Sequence, residues 1–135
     1  MWMNSLPKKI LYVDDDLDDC LLLKQAINKI SPIEIVYAHN GLEALAILNQ
    51  QRQTNSLPRL IVLDINMPVI DGIQTLEEIK KDSAFKIIPI VIFTTSVNSL
   101  NTETLKNQDI DILIKPTDWV SYSQIANKLV SYCDN

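Results

Sequence analysis

The chain alternates between short apolar runs and longer stretches in which apolar residues recur at helical spacing. Five runs read as strands: Lys9–Val13, Ile33–Ala38, Leu60–Leu63, Ile88–Phe93 and Ile110–Ile114. The third and fourth are apolar without interruption, as strands buried on both faces of a parallel sheet must be. Helical patterns lie between the runs. Cys20, Leu23, Ile27 and Ile30 share one face of a first helix, which Pro32 stops. A second begins at Asn40-Gly41-Leu42-Glu43, where Asn40 can cap the free backbone N–H groups and Glu43 can reach back. Asp71-Gly72-Ile73-Gln74 opens a third in the same way, and Leu76, Ile79 and Lys80 continue it. A fourth pattern, over about Leu100–Asn107, is polar, short and weak. A fifth, Trp119–Tyr132, offers Val120, Ile125, Leu129 and Tyr132 as its inner face. Strands alternating with helices predict a doubly wound α/β fold around a parallel sheet, with right-handed crossovers.

Four of the strands deliver polar residues at their carboxyl ends. The first runs into Asp14-Asp15-Asp16, the third into Asp64, the fourth into Thr94 and the fifth into Lys115-Pro116. In an open parallel sheet those ends border one crevice, where ligands bind. Carboxylates gathered there repel one another unless a cation or protons intervene. The arrangement suits a hard divalent cation and a phosphoryl group. Mg2+ takes oxygen ligands in octahedral geometry and keeps several waters, so two or three carboxylates and a carbonyl satisfy it. Asp64, held beside the metal, can act as a nucleophile towards phosphorus. The ammonium of Lys115 can offset charge on the transferring group, and Thr94 can donate to a phosphoryl oxygen. Each residue also has a plain structural reading. Acidic turns cap helices, strand-end aspartates and lysines are common, and threonine is an ordinary strand residue. Only their convergence turns them into a site.

Bulk properties narrow the partners. At 135 residues the chain is one domain with a real core. A net charge of −5 argues against nucleic acid, which draws a basic face. No apolar stretch reaches membrane-spanning length, and Met1 to Pro7 lacks the pattern of a signal peptide, so a cytoplasmic protein is expected. Cys20 and Cys133 lack the spacing of a metal site and suggest no disulfide in a reducing compartment.

Together the motifs resemble the receiver domain of two-component response regulators, the CheY-like family. The resemblance rests on Ile10-Leu11-Tyr12-Val13-Asp14-Asp15-Asp16, on Leu63-Asp64-Ile65-Asn66-Met67-Pro68-Val69-Ile70-Asp71-Gly72, on Phe93-Thr94-Thr95-Ser96 and on Lys115-Pro116. Asn40-Gly41-Leu42-Glu43-Ala44-Leu45 adds to it, and the chain's two glycines both fall inside these motifs. The resemblance implies a flavodoxin-like sheet in strand order 2-1-3-4-5 with five helices. It divides the chain into a tail over 1–7 and a receiver over 8–133, with no output domain. Asp64 becomes the phosphoacceptor. Asp15 becomes a direct Mg2+ ligand, Asp14 acts through water, and the Asn66 carbonyl supplies a further ligand. Thr94 and Lys115 contact the phosphoryl group, and the Lys115–Pro116 peptide is expected to be cis. Asp16 is left as a loop or capping residue.

The same resemblance implies a partner: a sensor histidine kinase or a histidine phosphotransfer protein. Leu17, Leu21 and Trp119 are candidate contacts for it, although Trp119 serves equally as a partly buried anchor. A homodimer through the fourth helix, last strand and last helix is a possible output. Residues two beyond the phosphoacceptor and two beyond the threonine tune phosphate loss in the family; here these are Asn66 and Ser96. Ile112 stands where the family usually carries an aromatic residue, and Leu17 where similar stand-alone receivers often carry proline. His39 reads as an exposed turn residue. Two rivals are a degenerate receiver that only binds protein and an aspartyl-nucleophile phosphatase. The second commonly has an acid two residues after its nucleophile, where Asn66 cannot protonate a leaving group.

Overall fold

The computed structural model describes residues 8–67, 71–95 and 110–134. Five strands form one parallel sheet: β1 (Lys9–Val13), β2 (Glu34–Ala38), β3 (Leu60–Leu63), β4 (Ile90–Thr94) and β5 (Asp111–Ile114). Their order is β2-β1-β3-β4-β5, so the chain reverses its direction of winding between β1 and β3. Four helices lie among the described residues: α1 (Leu17–Asn28), α2 (Gly41–Gln53), α3 (Gly72–Lys81) and α4 (Trp119–Cys133). The weak helical pattern over 100–107 lies outside the described residues.

Side chains alternate across the sheet and separate two cores. Leu11, Val13, Ile61, Leu63 and Ile92 face the side covered by α2 and α3. Ile10, Tyr12, Leu60, Val62, Val91 and Phe93 face the side covered by α1 and α4. β3 and β4 are buried throughout, as their unbroken apolar runs require.

The helix starts follow from local chemistry. Asp16 caps α1, accepting from the N–H groups of Asp18 and Asp19. Asn40 caps α2 by accepting from Glu43 N–H, but the Glu43 carboxylate does not reach back and instead meets His39 Nδ1 at 3.1 Å. Asp71 and Gln74 form a reciprocal capping box on α3. Asp118 caps α4 by accepting from Ser121 N–H.

Three expectations are corrected. Helix α1 ends at Asn28, before Pro32, because Ile30 and Ser31 N–H both turn back to the Ile27 carbonyl. Ile30 therefore leaves the inner face and is 46% exposed. The inner face of α4 is Tyr122, Ala126, Leu129 and Cys133, and Val120 points out at 68% exposure. Tyr122 wins the inner position because its ring meets the edge of Phe93, with centroids 6.2 Å apart, in the core below. Finally, the Lys115–Pro116 peptide is trans, the lower-energy isomer of an X–Pro bond.

Candidate functional site

The backbone at the carboxyl edge of the sheet is held by the parallel ladder running one step past each strand. Asp14 N–H donates to Ala38 carbonyl at 3.1 Å, and Asp64 N–H to Val13 carbonyl at 2.9 Å. Lys115 N–H donates to Thr94 carbonyl at 2.7 Å. Since Val13 pairs with Leu63, Asp14 and Asp64 emerge side by side at the point where the winding reverses. Carboxylate oxygens of Asp14, Asp15 and Asp64 lie within 4.8 Å of one another. Asp14, Asp64, Thr94 and Lys115 are buried, whereas Asp15 and Asn66 are exposed at the mouth.

Gly72 brings the helix α3 onto this edge. A Cβ there would lie 2.3 Å from the Asp64 carbonyl oxygen and 2.6 Å from Ile65 Cα. Only glycine permits so close an approach, which Gly72 N–H secures by donating to the Ile65 carbonyl at 3.0 Å. The Asp-Gly pair thus does two things: the aspartate caps α3 and the glycine seats that helix against the backbone that carries Asp64.

The Lys115 ammonium stands at the centre of the cluster. It donates to Asp14 Oδ2 at 2.6 Å and to Asp19 Oδ2 at 2.8 Å, and lies 3.4 Å from Asp64 Oδ2. Burial alone would push its pKa down, but the hydrogen bonds to Asp14 and Asp19, with the charges of Asp14 and Asp64, together raise it. Asp14 is fully buried, and both of its oxygens accept hydrogen bonds. Its Oδ2 also accepts from the Tyr12 hydroxyl at 2.6 Å, and its Oδ1 accepts from Asp16 N–H at 3.0 Å. The Tyr12 hydroxyl is in turn held protonated by burial and by the Asp14 charge, so it acts as a fixed donor.

Asp64 is less well provided. Its Oδ1 accepts from Ile65 N–H at 2.7 Å, while its Oδ2 takes the longest of the three lysine contacts. Burial, reinforced by the Asp14 charge, pushes its carboxyl up to about 6, against the lowering effects of Lys115 and the Ile65 N–H. The two rises differ in cause: burial dominates at Asp64, and the carboxylates of Asp14, Asp19 and Asp64 at Lys115. Three carboxylates thus surround the ammonium and a fourth, Asp15, lies beside Asp14 and Asp64, with Asp64 the buried one farthest from the lysine. A divalent cation with oxygen ligands corrects that imbalance, so the donor set fits such an ion.

Two members of this network, Asp19 and Tyr12, were not among the residues selected from sequence. Asp19 lies one helical repeat before Leu23 on the buried face of α1, and a charge on that face was the available signal. Tyr12 reads as an ordinary core residue, and its bond to Asp14 follows only from the alternation that puts both side chains on one face of β1.

Comparison with known proteins agrees with the architecture. The profile described as response regulator receiver domain matches residues 10–126, and the chain belongs to that family. Response regulator Rcp1 of Synechocystis sp. is 43% identical over 99 residues, covering 70% of this chain and 67% of that protein. The transcriptional regulatory protein ZraR of Klebsiella oxytoca is 38% identical over 119 residues, but the match is 87% of this chain and only 25% of ZraR. Among solved structures, the phosphorylated cyanobacterial phytochrome response regulator RcpA superposes with a TM-score of 0.83 at 32% identity, covering 96% of each chain. The Mn2+-bound form of Rcp1 gives 0.77 at 34% identity, covering 93% of each. No helix among the described residues is long and apolar enough to cross a membrane.

Proposed function

We propose that this receiver accepts a phosphoryl group from a phosphohistidine donor onto Asp64, with Mg2+ held by Asp14, Asp15, Asp64 and the Asn66 carbonyl. The observation that carries this reading is the buried Asp64 carboxylate, flanked by Asp14 and Asp15 and facing Lys115 at 3.4 Å. Asp64 Oδ2 is the oxygen free of the Ile65 N–H, so it is the attacking atom. It forms the new O–P bond as the P–N bond of the donor breaks and the imidazole leaves with the electron pair. Lys115 then pairs with a phosphoryl oxygen and Thr94 donates to another. Bound Mg2+ offsets charge on the phosphoryl oxygens. The acyl phosphate hydrolyses slowly, which makes the protein a cytoplasmic signalling switch rather than a metabolic enzyme.

The donor docks beside α1. A groove of about 720 Å³ there is lined by Leu21, Lys24, Gln25, Asn28, Lys29 and Trp119. Trp119 is 37% exposed, beneath the Lys29 ammonium at 5.3 Å, and Leu17 is 51% exposed. Output passes through protein contacts, and a dimer using β5 and α4 is one form of it. Light scattering with a phosphoryl mimic tests the dimer; a protein that stays monomeric leaves a different partner as the output.

Exposure to a small-molecule phosphodonor, with and without Mg2+, tests the reading. Uptake of one phosphoryl group per chain only with Mg2+ supports it. No uptake would favour the degenerate binder, and multiple turnover on many phosphate esters would favour the phosphatase.

A further inference from the structure

Resting on the reading above, we propose that Asp19 is a positioning residue that anchors the Lys115 ammonium from α1 through a carboxylate outside the candidate cation set. Of the three carboxylates around that ammonium, Asp14 and Asp64 belong to the candidate cation set; Asp19 alone does not. An ammonium has three donors. When a divalent cation takes the charge of Asp14 and Asp64, the lysine is repelled by it and needs a partner that the cation does not share. Asp19 Oδ2, at 2.8 Å, is that partner.

The local structure keeps Asp19 in place. It lies in the first turn of α1, with its N–H turned to the Asp16 cap at 3.4 Å. Its side chain is 22% exposed, so the bond to a lysine side chain only 6% exposed is shielded from water on one side. Asp18 is a natural control: it carries the same charge one residue away but is exposed and is capped through its backbone alone. Asp19 therefore acts in two ways. It lowers the repulsion between Lys115 and the incoming cation, and it stores the ammonium within reach of Asp64 for the phosphoryl group.

Mg2+ affinity, measured by calorimetry on the full chain, tests this. Asp19→Asn should bind Mg2+ about tenfold more weakly, the scale of one charge-assisted hydrogen bond, while Asp18→Asn stays near wild type. Asp19→Glu should recover part of the loss. The decisive arm is a double-mutant cycle: in Lys115→Met, adding Asp19→Asn should change affinity by less than about twofold. A merely electrostatic or structural role would give the same loss with or without the lysine, and that result would overturn the proposal. A second readout is the Lys115 ammonium resonance by NMR, slowed in exchange in the metal-free wild type and lost in Asp19→Asn. An unchanged resonance in that variant would also overturn it. If the wild type binds Mg2+ and Asp19→Asn binds equally well, this inference alone fails. If the wild type binds no Mg2+, the reading of the site fails with it.

Discussion

Replacing Asp64 by asparagine should make the metal-free protein more stable at neutral pH. Folding raises the Asp64 carboxyl to about 6, against about 3.9 in an unfolded chain. Between those values the folded state keeps a proton that the unfolded state has lost, so this contribution to stability is lost as pH rises through the window. A shift of about two pH units is worth about 3 kcal/mol. Asparagine keeps an acceptor for the Ile65 N–H, now at 2.7 Å from Asp64 Oδ1, and removes the charge. Asp64→Asn should therefore gain about 1–3 kcal/mol in chelator above about pH 7 and little at about pH 4, where the folded protein holds Asp64 protonated. For a chain of this length the gain appears as roughly 3–12 °C in Tm. Thermal unfolding of both proteins across that pH range is the assay. Added Mg2+ should close the gap by stabilising only the wild type. A difference that persists at low pH, or equal stability at neutral pH, would refute the reasoning, because neither follows from an ionised, under-paired carboxylate.

Other substitutions separate the roles within the site. Asp15→Ala should weaken Mg2+ binding with little loss of stability, whereas Asp16→Ala should cost about 1 kcal/mol of stability as a lost helix cap and leave Mg2+ affinity nearly intact; calorimetry and denaturation together check both. Equal losses of affinity would mean that the register of the three aspartates is misread. Gly72→Ala should destabilise by about 1–3 kcal/mol, since its Cβ would meet the Asp64 carbonyl oxygen at 2.3 Å; urea unfolding measures the loss, and Mg2+ affinity should fall with it. Tyr12→Phe should cost about 1–3 kcal/mol, because it removes a hydrogen bond to a fully buried charge; a neutral result in urea unfolding would remove Tyr12 from the network.

Much of the fold could be read directly from hydrophobic pattern. The unbroken apolar runs at Leu60–Leu63 and Ile88–Phe93 were read as strands buried on both faces, and strands do occupy Leu60–Leu63 and Ile90–Thr94, buried throughout. The caps at Asn40 and Asp71 were legible because capping is local chemistry over a few residues. The inner face of α4 was not. Tyr122 and Cys133 take the buried positions, Ile125 and Tyr132 pack at the margin and Val120 turns out, because tertiary partners set the helix phase, and Phe93 is remote in sequence. The residues proposed for the site were visible as strand-end polar groups, and the structure brings Asp14, Asp15, Asp64 and Lys115 together. Asp19 was hidden because its partner lies 96 residues away. Ser96 and the pattern over 100–107 lie outside the described residues.

The central claim, a phosphoryl group carried by Asp64, is tested most directly by trapping the acyl phosphate. The protein is incubated with a phosphodonor and Mg2+, then reduced with borohydride, which converts an aspartyl phosphate to homoserine. Peptide mass spectrometry locates the change. The account predicts homoserine at position 64 alone, dependent on Mg2+, and none in Asp64→Asn. Reduction at another carboxylate, phosphate on a serine or on His39, or a modified Asp64 that forms equally well in chelator would contradict it.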